Sequence, residues 1–205
     1  MTGEPSWAKG RSKPPAWRSG QGRTRFENPW IALVEYDATA PTGHETLYGV
    51  IRFKKLALGV LPIHADGTVT LVGQHRFPLG NYVWEMPEGG LDGDELPIEG
   101  IRRELAEEAG LKAGQWHEVL RLELSNSVTD ETAICWIATD LSPCEDCIPD
   151  ETEALERARV PFRNLLAAIE SGQVRDALTV ATTLRAYHMA REGLLPHDLA
   201  RAMLD

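Results

Sequence analysis

GGLDGDELPIEGIRRELAEEAGL, residues 89–111, sets three carboxylates and an arginine within Arg103-Glu104-Leu105-Ala106-Glu107-Glu108. Wound as a helix at about 100° per residue, with Glu104 as zero, Glu108 falls at about +40° and Glu107 at about −60°. Ile98, Ile101, Leu105 and Ala109 fall between about +60° and +140°, a separate apolar stripe for a core. Gly110 suits a left-handed stop, so the spacing predicts a helix over roughly 97–109. Gly100 inside it costs about 1 kcal/mol against alanine, which close backbone packing would explain. Like charges at i,i+3 and i,i+4 destabilise a bare helix. A hard divalent cation with oxygen ligands is the natural compensation.

Upstream of this stretch the texture is that of strands. WIALVEYDA (30–38), TLYGVIRF (46–53), LALGVLPIHA (56–65) and TVTLVGQHRF (68–77) are β-branched and aromatic runs. They are broken at Ala40-Pro41-Thr42-Gly43, Lys54-Lys55 and Ala65-Asp66-Gly67, the last a hairpin signal. A short strand near Tyr82–Met86 leads into a loop, Pro87-Glu88-Gly89-Gly90. Beyond the helix, strands are expected near 116–124, 132–138 and 158–161, with an acidic loop over 140–153. Helices are expected over 163–171 and 176–192. Residues 1–28, rich in Gly, Pro, Ser and basic side chains, read as a flexible solvated tail. Trp7 and Trp17 also allow a tail that docks on the body or on a second subunit. Residues 29–205 then form one domain, with 29–55 as a small antiparallel sheet and 56–205 as the core.

The spacing is Gly89, five residues, Glu95, seven residues, Arg103-Glu104-Leu105, one residue, Glu107-Glu108, one residue, Gly110-Leu111. It resembles the Nudix box, the signature of hydrolases acting on nucleoside diphosphates linked to another moiety. All the fixed positions match, and a chance match at one start would be on the order of 10⁻⁸ if each residue had a background near glycine's ~7%. A solvated acidic helix would explain the charges but not the two spaced glycines. The resemblance implies an α+β protein with the Nudix fold, an α/β/α sandwich around a mixed sheet, plus the N-terminal antiparallel sheet. It implies Mg²⁺ or Mn²⁺ held by the carbonyl at Gly89 and by Glu104, Glu107 and Glu108. Arg103 would hold those glutamates by ion pairing, and Glu95 would tether loop to helix.

The flanks are similar to a narrower subgroup, the ADP-ribose and ADP-sugar pyrophosphatases. Gln74-His75-Arg76-Phe77-Pro78, Trp84-Glu85-Met86-Pro87-Glu88-Gly89-Gly90 and Glu27-Asn28-Pro29-Trp30 carry that resemblance. It implies that Arg76 approaches the diphosphate, against the alternative of a surface ion pair. Trp30 would stack on the base, or else be a core tryptophan. Glu85 would contact substrate or metal-bound water, or make a structural hydrogen bond. ADP-ribose hydrolases often continue S-P-G-[FL]-[ST]-[DE]-E, and here the segment is Ser125-Asn126-Ser127-Val128-Thr129-Asp130-Glu131. Ser127 keeps the frame as a substrate contact, but Asn-Ser in place of Pro-Gly opens the choice to GDP-mannose or a dinucleotide. The catalytic base of the subgroup comes from a late loop, which makes Glu151 and then Glu153 the candidates.

Bulk composition sets outer bounds. The chain has 205 residues, 42% apolar and 25% charged, with a net charge of −10, which argues against nucleic acid as a partner. No apolar run approaches a membrane span and no secretory h-region is visible, so a cytoplasmic protein is expected. The three cysteines do not make a disulfide framework. Cys144-Glu145-Asp146-Cys147 lacks the second ligand pair a zinc site needs, and its acidic context disfavours a reactive thiolate. The partner implied is a small nucleoside diphosphate sugar. Relatives of the subgroup are commonly homodimers through the N-terminal sheet. A non-catalytic ADP-ribose sensor is disfavoured by the intact box, the acidic charge and the lack of a helix-turn-helix.

Overall fold

A computed structural model describes residues 4–145, 147 and 154–205. The chain divides into two compact units: residues up to Lys54 together with Ser125–Asp130, and Lys55–Leu124 together with Glu131–Asp205.

The first unit is an antiparallel sheet of β1 (Arg18–Ser19), β2 (Arg23–Glu27), β3 (Ile31–Thr39) and β4 (Glu45–Phe53). β3 and β4 pair along their full length, from Ile31↔Phe53 to Thr39↔Glu45, and β2 lies on the other edge of β3. The stretch read as a solvated tail therefore contains two strands. Its composition hid them because all of β2 is exposed and its binding is cross-strand charge pairing. Arg23 sits opposite Glu35 and forks to Glu35 and Asp37. Residues 125–130 close on β4: Ile51 bridges Thr129, and the Asp130 carboxylate accepts from the Phe53 N–H at 2.9 Å and from Arg52 at 3.0 Å.

The second unit is built on β5 (Ala57–Pro62), β6 (Thr68–Arg76), β7 (Asn81–Glu85) and β8 (Glu88–Gly90). To these it adds α1 (Pro97–Ala109), β9 (Leu111–Glu123), β10 (Thr132–Pro143), β11 (Glu156–Pro161), α2 (Phe162–Glu170), α3 (Ala177–Arg191) and α4 (His197–Leu204). One sheet runs β8-β5-β10-β9, with β5 and β10 parallel and the outer pairs antiparallel; the other runs β11-β6-β7. Strand periodicity sorts the side chains of β10 into two cores. Ile134, Trp136 and Ala138 join Leu58 and Val60 against Ile101, Leu105 and Ala109 of α1. Ala133, Cys135 and Ile137 join Leu61 and Ile63 against Phe162, Leu165, Leu178 and Ala186 of the later helices. Helix, mixed sheet, helix is the expected sandwich. Among the described residues no helix is long and apolar enough to cross a membrane.

Three local departures from expectation have physical causes. The β9–β10 ladder extends to Leu111↔Pro143, beyond the apolar pattern, because its distal end is mostly exposed and needs no apolar face. α4 was not expected; only its Ala200 and Met203 are buried, too few to show a period. Cys144 and Cys147 are joined in a disulfide, so three cysteines do make one local bridge. The spacing puts their Cα atoms 5.6 Å apart, inside the ordinary range.

Candidate active site

α1 begins at Pro97 and ends on Gly110 in the left-handed region, φ 65°, with the Gly110 N–H returned to the helix. Its last turn is held from outside by Arg157 of β11, which donates to the carbonyls of Glu108 (2.5 Å) and Glu107 (3.0 Å). The apolar stripe fixes the roll of the helix, and that roll turns Glu104 and Glu108 inward: they are 8% and 2% exposed. Carboxylates are rarely so buried without a partner.

β8 brings the glycines to this face. Gly89 pairs with Leu58 on β5. A Cβ at Gly89 would stand 2.3–2.5 Å from the carboxylate atoms of Glu104, so any side chain here would displace that carboxylate. The read of Pro87–Gly90 as a loop missed this three-residue strand, since two glycines carry no strand preference. The Glu88 N–H donates to the Glu108 carboxylate at 2.8 Å.

Arg103 ties the array together. It reaches Glu104 at 2.9 Å, Glu107 at 3.1 Å, Glu95 at 3.3 Å and the Gly90 carbonyl at 3.4 Å. Burial pulls its pKa down, but Glu95, Glu104 and Glu107 together hold it above the ordinary arginine value. Glu95 thus lies where a loop-to-helix tether must. Lys55 and Arg103 both pair with Asp92 in the same loop.

A cleft of about 650 Å³, open to solvent, has Arg76, Asn81, Glu85, Glu88, Arg175 and Asp176 on its wall. Arg76 pairs with Glu85 at 2.7 Å and with Glu88 at 2.9 Å, and keeps 35% of its side chain exposed. Glu85 is 2% exposed and also accepts from Gln74 at 2.8 Å, so its visible contacts are structural and aim Arg76. Burial raises the Glu85 carboxyl despite Arg76 and Gln74. Burial, with repulsion from Asp176 and Glu85, lifts Glu88 further, well above the ordinary range.

The second unit therefore brings together Gly89, Arg103, Glu104, Glu107, Glu108, Arg76 and Glu85. Trp30 and Ser127 belong to the first unit. Trp30 is 63% exposed, which excludes the core tryptophan. The Ser127 carbonyl accepts from the Tyr48 hydroxyl. Glu151 and Glu153 lie outside the described residues. Asp176, Arg175 and the Glu88 side chain were missed. Asp176 did carry a signal as the residue before a helical run; it caps α3, accepting the Thr179 N–H at 2.7 Å.

The NUDIX domain description matches residues 53–177. An ADP-ribose pyrophosphatase of Bacillus subtilis (strain 168) is 30% identical over 155 residues, 75% of this chain and 83% of that protein. A GDP-mannose pyrophosphatase of Yersinia enterocolitica is 30% identical over 125 residues, 56% of this chain and 64% of the relative. The crystal structure of an ADP compounds hydrolase shares the fold, with a TM-score of 0.80 over 89% of this chain and 98% of the other at 20% identity. Box, helix and sheet thus fall inside a domain match that spans more than half the chain, and the protein belongs to the Nudix family.

Proposed function

We propose that this Nudix pyrophosphatase hydrolyses the diphosphate of a nucleoside diphosphate sugar, with ADP-ribose as first substrate and AMP and ribose 5-phosphate as products. The observation that carries the reading is Arg76, held by Glu85 and Glu88 yet open to a cleft, with the Glu88 backbone bonded to the box glutamate Glu108. A fixed guanidinium there suits a diphosphate oxygen. The name of the Bacillus subtilis relative supports ADP-ribose, whereas Asn126 and the Yersinia relative favour GDP-mannose as the second reading.

The residues fit a hard divalent cation, Mg²⁺ or Mn²⁺. The donors are all oxygen, Glu104 and Glu108 are buried, and Gly89 leaves the space beside Glu104 that a Cβ would fill. Glu104, Glu107, Glu108 and the Gly89 carbonyl would hold the ion, which supplies charge neutralisation at the scissile diphosphate. Arg103 positions Glu104 and Glu107, and Arg76 orients the substrate. Trp30 is kept for the base and Ser127 for a polar substrate contact. Glu151, or failing it Glu153, takes the proton of the attacking water.

A panel of nucleotide sugars with Mg²⁺, coupled to a phosphatase that attacks only the monoester products, is expected to release phosphate fastest from ADP-ribose. Faster release from GDP-mannose selects the second reading, and release from no diphosphate refutes both. Alanine at Glu151 is expected to lower kcat at least roughly tenfold. If neither Glu151→Ala nor Glu153→Ala does so, the base lies elsewhere.

The protein is further read as a cytoplasmic homodimer that uses its N-terminal sheet. Light scattering at micromolar concentration is expected to give twice the 22.7 kDa chain mass. A value of one chain mass refutes the dimer.

A further inference from the structure

A second carboxylate group lies on the cleft wall apart from the box helix. Glu85 ends β7, Glu88 begins β8 and Asp176 caps α3, and each offers an oxygen within 4.8 Å of the others. Three such charges would normally be separated by water or answered by cations. Here the described answer is Arg76, which pairs with Glu85 and Glu88. With all three ionised, two negative charges remain uncompensated.

One atom makes that imbalance specific. Glu88 Oε1 accepts from Arg76, but Glu88 Oε2 has less than 1 Å² open to solvent and accepts no hydrogen bond among the described residues. An unanswered, solvent-free carboxylate oxygen costs several kcal/mol unless a proton or a cation meets it. Asp176 spends Oδ2 on the Thr179 N–H, which leaves its other oxygen uncommitted by that cap. Thr179 also accepts the Met86 N–H at 3.0 Å and so ties α3 to the turn between β7 and β8.

We propose that Glu85, Glu88 and Asp176 bind a hard divalent cation of their own, distinct from the ion assigned to Glu104, Glu107 and Glu108. One such charge would cancel the two left by Arg76 and give Glu88 Oε2 its partner. Its donors are carboxylate oxygens alone, which selects Mg²⁺, Mn²⁺ or Ca²⁺ over softer metals. The Glu88 N–H donates to Glu108, so the two ions would be neighbours.

The test is a Mn²⁺ titration of the purified full chain without substrate, with free Mn²⁺ read by electron paramagnetic resonance. A variant with Glu104→Gln and Glu108→Gln is expected to retain Mn²⁺ binding. Adding Glu88→Gln and Asp176→Asn is expected to weaken that remaining Kd by more than about tenfold. Asparagine keeps the α3 cap; if the combined variant does not fold in a thermal scan, Glu88→Gln or Asp176→Asn alone in the same background carries the test. The proposal is overturned if the box variant binds no Mn²⁺, or if the added substitutions leave its stoichiometry and Kd within twofold. Because no substrate is present, either result leaves the hydrolase reading to be judged by its own panel.

Discussion

Glu108→Gln is expected to lower kcat by on the order of 10³-fold at saturating substrate and Mg²⁺, with the fold unchanged. The size follows from the role: a cation at a transferring phosphoryl group is worth several kcal/mol of transition-state stabilisation, and 1.36 kcal/mol is a decade in rate. Glu108 is 2% exposed and its carboxylate accepts the Glu88 N–H, so it faces the box rather than the surface. Glutamine keeps the oxygen that the Glu88 N–H needs and removes only the charge. With Glu88, Glu104 and Glu107 nearby on the same side of the site, removing one charge relieves repulsion when metal is absent. The variant's Tm in a chelator is therefore expected to match or exceed the parent's, while its gain in Tm on adding Mn²⁺ shrinks. Activity within tenfold of the parent would remove Glu108 from the ligand set. A fall in both activity and chelated Tm would assign it a structural role instead.

What was legible in the linear sequence was what depends on near neighbours along the chain. Pro97 and Gly110 bracket α1, and the i,i+4 spacing of Ile101, Leu105 and Ala109 set the face it buries. The same roll turns Glu104 and Glu108 inward. The strands from Ile31 to Arg76 announced themselves by β-branched runs. Invisible were elements whose stability comes from a distant partner. β8 exists because Gly89 and Gly90 register on Leu58 and Ala57, and β2 because Arg23 finds Glu35. Asp176 counts as the first residue of the helix expected over 176–192; it caps that helix instead, and nothing local said that the cap stands beside Glu85 and Glu88. Arg157 lies far down the chain from the helix end it holds. Local periodicity gives the ligand helix; only the packed sheet shows which other carboxylates share its cleft.

Leu105→Ala is the second large effect expected, and it falls on stability. Leu105 is fully buried at the middle of the α1 stripe, packed with Leu58, Val60, Ile134 and Trp136. These neighbours sit on β5 and β10, a parallel pair in the middle of the sheet, so the backbone has little freedom to collapse into the space. Leucine-to-alanine changes in such sites cost about 2–5 kcal/mol, the larger values where relaxation is least. For a chain of this size that is a drop in Tm of roughly 4–20 °C, read by calorimetry. Leu105→Met, which conserves volume, is expected to cost less than about 1.5 kcal/mol. Activity separates this residue from the carboxylates it positions. Below its lowered Tm, Leu105→Ala is expected to keep far more turnover than Glu108→Gln, because Arg103, Arg157 and β8 still hold the glutamates. A stability loss under about 1 kcal/mol would show that the core between α1 and the sheet repacks freely. The orientation of Glu104 and Glu108 would then rest on the ion pairs of Arg103 rather than on the apolar stripe.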